Sequence, residues 1–272
     1  MLESPGILHE MGKGGIMIRF AVMFVLICAV QANLPAEKNI NGVHVLMTLE
    51  ELVNPAYSAV MVVDMQNEMV STEGQCSRPD RSIPPDPSKH EVVSHLKEAT
   101  RNLQKLLAAA RQLELPIAYA EYIHEDRNGK MLVNGPEYWT HRNGEWVLSI
   151  VEGTWGSRTI DELTPRKGDI MIRKSLSDAF HKTSLTDQLN AKGIKCLLIT
   201  GIATGGCVFA TAMGAMEDGF YPVMITDCMD QSKISHDFME GRWPKFTSEQ
   251  VISTWQEMKA HSSSSRSKPE RE

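Results

Sequence analysis

A surplus of positive charge is the first thing this chain lacks. Of 272 residues, 28 are Lys or Arg and 34 are Asp or Glu, a formal net charge of −6. That balance excludes the basic footprint of a nucleic-acid binder and speaks mainly of solubility. Cysteine is scarce, with five in all. Cys28 sits in an N-terminal apolar run; Cys76, Cys196, Cys207 and Cys228 are spaced neither as a zinc knuckle nor as a disulfide-dense scaffold. Cys196 starts a strand and Cys228 ends one, which suits small core residues, while Cys76 lies in a polar loop. Long apolar runs are missing too. Phe20–Val30 is too short to cross a bilayer, which takes roughly 20 residues, so no stable membrane anchor is expected. With Lys13 and Arg19 ahead of it and Val30-Gln31-Ala32 behind, this run reads as a secretory signal peptide cleaved after Ala32. The protein is then secreted or endomembrane; the alternative is an unused leader, or a start at Met17, and a cytoplasmic protein. No internal repeat is present.

What the chain does contain is an alternation of strands and helices. After the leader (residues 1–32), residues 33–56 form an approach segment with Pro35 and Pro55. Tyr57–Asp64 is a short apolar run that fits a buried strand. Gln66–Lys89 is a long loop carrying four prolines, Pro79, Pro84, Pro85 and Pro87; connections of that length are usually functional or mobile. Glu91–Leu113 has apolar residues at three- and four-residue intervals and predicts a helix. Strands follow at Ile117–Ile123, Asp169–Arg173, Lys195–Thr200 and Tyr221–Asp227, and helices at Ser184–Ala191, Gly206–Glu217 and Ser248–Lys259. Asp161–Pro165 is a short helix ending, Asp126–Thr154 is irregular, and residues 261–272 have no apolar face and read as a disordered tail. This order predicts βαβ units, hence an α/β domain over residues 57–260 with a parallel sheet covered on both faces. In such sheets ligands bind outside the carboxyl ends of the strands.

Three chemically potent residues stand at those ends. Asp64 closes the first strand, Lys174 the third, and Cys207 follows the glycine-rich turn Gly201-Ile202-Ala203-Thr204-Gly205-Gly206 after the fourth. A thiol where a helix begins meets converging N–H groups and the positive end of the dipole, and is expected to ionise more easily than a free thiol of pKa near 8.5. Each residue alone has a plainer reading: a strand-end aspartate that anchors a loop, a solvated lysine, a buried core thiol. Together at one sheet edge they form a candidate catalytic set.

The chain resembles the isochorismatase-like cysteine hydrolase superfamily over roughly Tyr57–Trp255. The resemblance rests on Val62-Val63-Asp64-Met65-Gln66-Asn67, on Lys174-Ser175-Leu176-Ser177-Asp178-Ala179-Phe180 with Thr183 and Leu185, and on Gly201–Val208 with Thr211-Ala212 and Asp218-Gly219, all in order. It implies a three-layer αβα fold with a mostly parallel six-stranded sheet. It also implies Cys207 as nucleophile, Asp64 as general base and Lys174 as the positive charge between them. A cis peptide would fall at Ile202-Ala203, and the N–H groups of Ala203 and Cys207 would form an oxyanion hole. Gln66, Asn67, Tyr122, Trp139 and Phe180 are candidate substrate contacts, each with a plainer reading as turn or packing residue; His124 and Trp155 are further candidates for the pocket wall. A nicotinamidase-like metal pair would need an aspartate where Tyr122 stands, and His90, His95, His141 and His181 lack metal-like spacing, so neither metal nor cofactor is expected. The Asp126–Trp155 insertion and Gly153-Thr154-Trp155-Gly156 look more like the branches acting on ureido and carbamoyl compounds. The expected activity is hydrolysis of a C–N amide or ureido bond in a small molecule through a thioester, by a homo-oligomer. Two alternatives are a vinyl-ether hydrolase releasing pyruvate, which needs Asp64 but no nucleophilic thiol, and a secreted effector or binding protein that keeps the fold without catalysis.

Overall fold

The computed structural model describes residues 39–71, 74, 89–124, 126–128, 130, 132, 141–142, 145–146, 150–230, 236–237 and 239–266. The signal segment, Cys76, Trp139 and residues 267–272 lie outside the described residues. Two compact units divide the chain, Met1–Met47 and Thr48–Glu272. In the first, Asn39–Ile40 and Val43–His44 pair antiparallel across a turn in which Asn41 and Gly42 take φ of 53° and 80°, the Asn-Gly chemistry a tight hairpin requires.

The second unit begins earlier than Tyr57. Thr48 caps a one-turn helix, Leu49–Leu52, in a capping box with Glu51, and Leu52 and Val53 are fully packed. Val53 also accepts a 2.6 Å hydrogen bond from the indole of Trp255, near the other end of the chain. The approach segment is thus partly core, which its two prolines had hidden.

The sheet has six parallel strands: β1 (Ser58–Val63), β2 (Ile117–Tyr122), β3 (Ile170–Lys174), β4 (Cys196–Gly201), β5 (Tyr221–Met229) and β6 (Lys245–Phe246). Their spatial order is β6-β5-β4-β1-β2-β3. The chain starts in the middle, builds outward to β3, then returns to β4 on the other side of β1. β1 and β4 are buried along their whole length, as strands covered on both faces must be. β3 is a border strand and alternates: Ile170, Ile172 and Lys174 are buried, Met171 and Arg173 exposed.

The helices longer than one turn are α1 (Lys89–Gln112), α2 (Leu185–Asn190), α3 (Phe209–Glu217) and α4 (Ser248–Arg266). One core joins Ala59, Met61, Val63, Ala118, Ala120, Leu197 and Ile199 to Leu185 and Leu189 of α2 and Ala212 and Ala215 of α3. Alternate strand residues point to the opposite face, where α1 and α4 pack against each other and against β5. This is the expected three-layer α/β arrangement. Three boundaries differ from the sequence pattern. β6 has two residues, too few to show a period, and the pattern left it unassigned. β5 runs two residues past Asp227. α4 continues to Arg266 through part of the expected disordered tail; no Pro or Gly interrupts Ser248–Arg266, so the backbone carries on without an apolar face. Among the described residues no helix is long and apolar enough to cross a membrane.

Candidate active site

The register of the sheet assembles the candidate residues. Val63 of β1 lies level with Gly201 of β4 and with Ala120 of β2, and Tyr122 of β2 lies level with Lys174 of β3. Asp64 follows Val63 with φ 51°, which turns the chain at the strand end, and its N–H donates to the Ala120 carbonyl at 3.0 Å. Lys174, on the buried side of β3, reaches inward: Nζ lies 2.8 Å from Asp64 Oδ2 and 3.3 Å from the Leu176 carbonyl. It also sits 4.4 Å from the centre of the Tyr122 ring. Both charged side chains are essentially withdrawn from solvent, at 0% and 1% exposure, so each depends on the other.

β4 delivers the thiol. At its end Gly201 takes φ 104°, and a β-carbon there would collide with the Val63 carbonyl. The Ile202–Ala203 peptide is cis. Thr204–Val208 is a tight turn containing Cys207 and kinked at Gly206, whose φ of −119° and ψ of −105° are not helical, after which α3 begins. The turn is anchored from β5's far end, where Asp230 Oδ2 accepts the Thr204 N–H and the Asp230 carbonyl accepts the Thr204 hydroxyl at 2.9 Å. Asp230 is a site-supporting residue that sequence reasoning missed. Its signal was a polar residue just beyond a strand end, masked because β5 was ended at Asp227.

Cys207 is partly buried and interacts with both Asp64 and Lys174. Asp64 Oδ1 nevertheless completes no hydrogen bond among the described residues, so the thiol contact is looser than a formed bond, as catalytic contacts often are before substrate binds. The electrostatics correct one expectation. Burial, then the Asp64 charge, push the thiol up to about 12, with Lys174 opposing; the helix terminus does not win. Burial likewise raises the Asp64 carboxyl above 3.8 against the pull of Lys174 and Cys207. At rest the proton therefore stays on sulfur, beside an unusually basic carboxylate.

The other candidates separate. The Tyr122 ring faces the cluster, and burial, Cys207 and Asp64 raise its hydroxyl to about 12. His124 packs against that ring at a tilt of 54°, with ring centres 4.7 Å apart. Burial and Lys174 lower its pKa to about 4, and its Nδ1 accepts the Ile150 N–H at 3.2 Å. Gln66 is fully buried and its amide is consumed by backbone, at 2.8 Å from Tyr122 N–H and at 3.0 and 2.8 Å to the carbonyls of Tyr122 and Ser157. Asn67 donates to the Trp155 carbonyl at 3.0 Å and lines a groove of about 390 Å³ against α1, whose lining does not include the thiol. Phe180 belongs to the core, 5.7 Å from the Phe220 ring. Trp155 is exposed. Cys196 and Cys228 are buried, as their strand-end positions suggested. Among the described residues no group of three or more His, Cys, Asp or Glu side chains is arranged to hold a metal ion.

Comparison with known proteins adds three findings. The isochorismatase domain family matches residues 58–241. The ureidoacrylate amidohydrolase RutB of Agrobacterium fabrum is 29% identical over 184 residues, covering 64% of this chain and 76% of that protein. RutB of Pseudomonas syringae pv. syringae is 26% identical over 189 residues, covering 66% and 73%. Among solved structures, a cysteine hydrolase from Pseudomonas syringae pv. phaseolicola superposes with a TM-score of 0.58 at 20% identity, over 76% of this chain and 95% of that one. The N-carbamoylsarcosine amidase of Thermoplasma acidophilum gives 0.53 at 22% identity, over 71% and 96%. The structural likenesses speak for the fold.

Proposed function

This chain belongs to the isochorismatase family of hydrolases, and from that premise we propose that it cleaves a C–N amide or ureido bond of a small molecule through a thioester on Cys207. The observation that carries the proposal is the buried Asp64–Lys174 pair, whose second carboxylate oxygen completes no hydrogen bond and on which the Cys207 thiol acts. The names of its relatives, ureidoacrylate amidohydrolases, support the choice of bond.

Asp64 takes the thiol proton as sulfur attacks the carbonyl carbon. Lys174 compensates first the carboxylate, then the thiolate, so one positive charge serves whichever partner is anionic. The N–H groups of Ala203 and Cys207 receive the developing oxyanion; losing one such donor costs about 2.7–4 kcal/mol of barrier lowering. Asp64 returns the proton to the leaving nitrogen, the C–N bond breaks, and ammonia or an amine departs. Water, deprotonated by the same carboxylate, then opens the thioester and restores the thiol. A raised Asp64 pKa suits this work, because the closer its proton affinity comes to that of sulfur, the smaller the penalty for transfer.

The test is ammonia release from a panel of ureido and carbamoyl acids, with intact mass spectrometry of the protein. Wild type should turn over at least one member and accumulate an acyl adduct on Cys207. Cys207→Ala should lose about 10³-fold or more. Retention of most turnover by Cys207→Ala would overturn covalent catalysis.

A further inference from the structure

Parallel pairing between β1 and β2 stops at the Val63–Ala120 level, where Asp64 N–H takes the Ala120 carbonyl and the chain turns away. Two residues on, Tyr122 has the same parity as Ala120 and so turns its N–H and C=O toward the space β1 has left. The side chain of Gln66 fills it. Its Oε1 accepts the Tyr122 N–H at 2.8 Å, and its Nε2 donates to the Tyr122 carbonyl at 3.0 Å. The amide thus stands in for a missing strand residue. The second Nε2 proton goes to the Ser157 carbonyl at 2.8 Å, which ties in the loop that also bridges Gln66 to Thr159. A carboxamide carries a donor and an acceptor side by side without charge; a carboxylate has no donor, and asparagine is one methylene too short.

What the clamp holds is the Tyr122 ring, and the ring lies against the Lys174 ammonium. We propose that Gln66 is a positioning residue of the Asp64–Lys174–Cys207 cluster: by fixing the Tyr122 backbone it seats the aromatic ring on Lys174 and so keeps the ammonium between carboxylate and thiol. The inference rests on the reading of Cys207 as nucleophile for its bearing on turnover, but its test needs no substrate. The charged and titratable groups facing the thiol are Asp64 just beyond β1, Lys174 of β3 and Tyr122 of β2. Those facing Tyr122 are Cys207, Asp64, Lys174 and His124. Lys174 is the one that favours thiolate, so loosening it should make the sulfur harder to ionise.

The full-length protein is alkylated with iodoacetamide between about pH 6 and 10, and the rate at Cys207 is followed by peptide mass spectrometry. Gln66→Met, close in volume and without the amide, should react about three-fold or more slowly at pH 8, the profile moving up by about half a pH unit. Tyr122→Leu should do the same, and the double variant should be no slower than the slower single one. Trp255→Phe, which loses the indole's hydrogen bond to Val53 and some packing volume outside the core that Cys207 packs against, serves as a destabilised control and should leave the profile in place. A Gln66→Met profile that superimposes on wild type or reacts faster would overturn the proposal, as would effects that multiply in the double variant. If circular dichroism shows Gln66→Met unfolded, Gln66→Leu, which is uncharged and loses the acceptor and both donors, takes its place under the same criteria. A chain that hydrolysed no amide would still give one of these outcomes, so the two readings fail separately.

Discussion

Between Asp64 and Cys207 one proton has two homes, and the protein raises the affinity of both. Burial lifts the carboxyl above its ordinary 3.8 and the thiol to about 12. The pair therefore titrates as a unit: in the proposed mechanism the carboxylate must be empty for sulfur to be activated, and sulfur does not ionise on its own near neutrality. The acid limb of kcat/KM should accordingly lie above pH 3.8, and no second rise should appear near pH 8–9 where a free thiol would ionise. A pH–rate profile on any accepted substrate checks both features. His124 gives the opposite sign in stability. Its pKa of about 4 in the folded state lies below the usual 6.5, so as pH falls through that window the unfolded chain takes up a proton that the folded chain refuses. Stability should drop by roughly 3 kcal/mol between pH 6.5 and 4. His124→Asn should flatten that part of the curve, measured by urea denaturation. The three principal candidates were legible because each is a chemically potent residue at a strand end. The thiol's proton affinity was not, because helix position can be read from sequence while desolvation depends on what folds over the sulfur.

At the scale of elements, the Gly201 turn decides whether the thiol is delivered at all. A side chain there meets two obstacles: a φ of 104° and the Val63 carbonyl of the neighbouring strand. Conformational strain of this kind costs about 1–3 kcal/mol before the collision is counted. Gly201→Ala should therefore lower the thermal midpoint clearly and remove turnover, even in whatever fraction stays folded, as a melt and an assay on the soluble protein would show. The strands β1, β2, β4 and most of β5 could be read from short apolar runs, and α1 from its repeat of Leu96, Ala99, Leu103, Leu106, Leu107 and Ala110, all buried. β6 could not, because two residues have no periodicity and pair only through Met224 and Ile225. The backbone role of Gln66 was not legible for a related reason: a polar residue after a strand-end aspartate suggests contact with a ligand or a turn, and nothing in the sequence says that β1 stops short of β2 and leaves two backbone groups to satisfy.

Across the whole molecule, topology does what sequence distance cannot. Asp64 and Lys174 are 110 residues apart, yet reversal of strand order at β1 puts the ends of β1 and β4 side by side and hangs β3 two strands away. The parallel alternation predicted that shared edge. It did not predict that α4 would close the unit by reaching back to Val53, because such closure depends on packing rather than on pattern.

The membership of Lys174 in the border strand has a cost in robustness. β3 is held along one flank only, and segments so placed open locally at a fraction of the global unfolding free energy. The cation proposed to organise the chemistry is therefore mounted on a strand secured along one flank only, while aspartate and sulfur hang from the sheet's centre. Under mild urea, turnover should vanish before tryptophan fluorescence reports melting of the interior, and should return at once on dilution; coincident loss of the two signals would mean that the border is as firmly fixed as the middle.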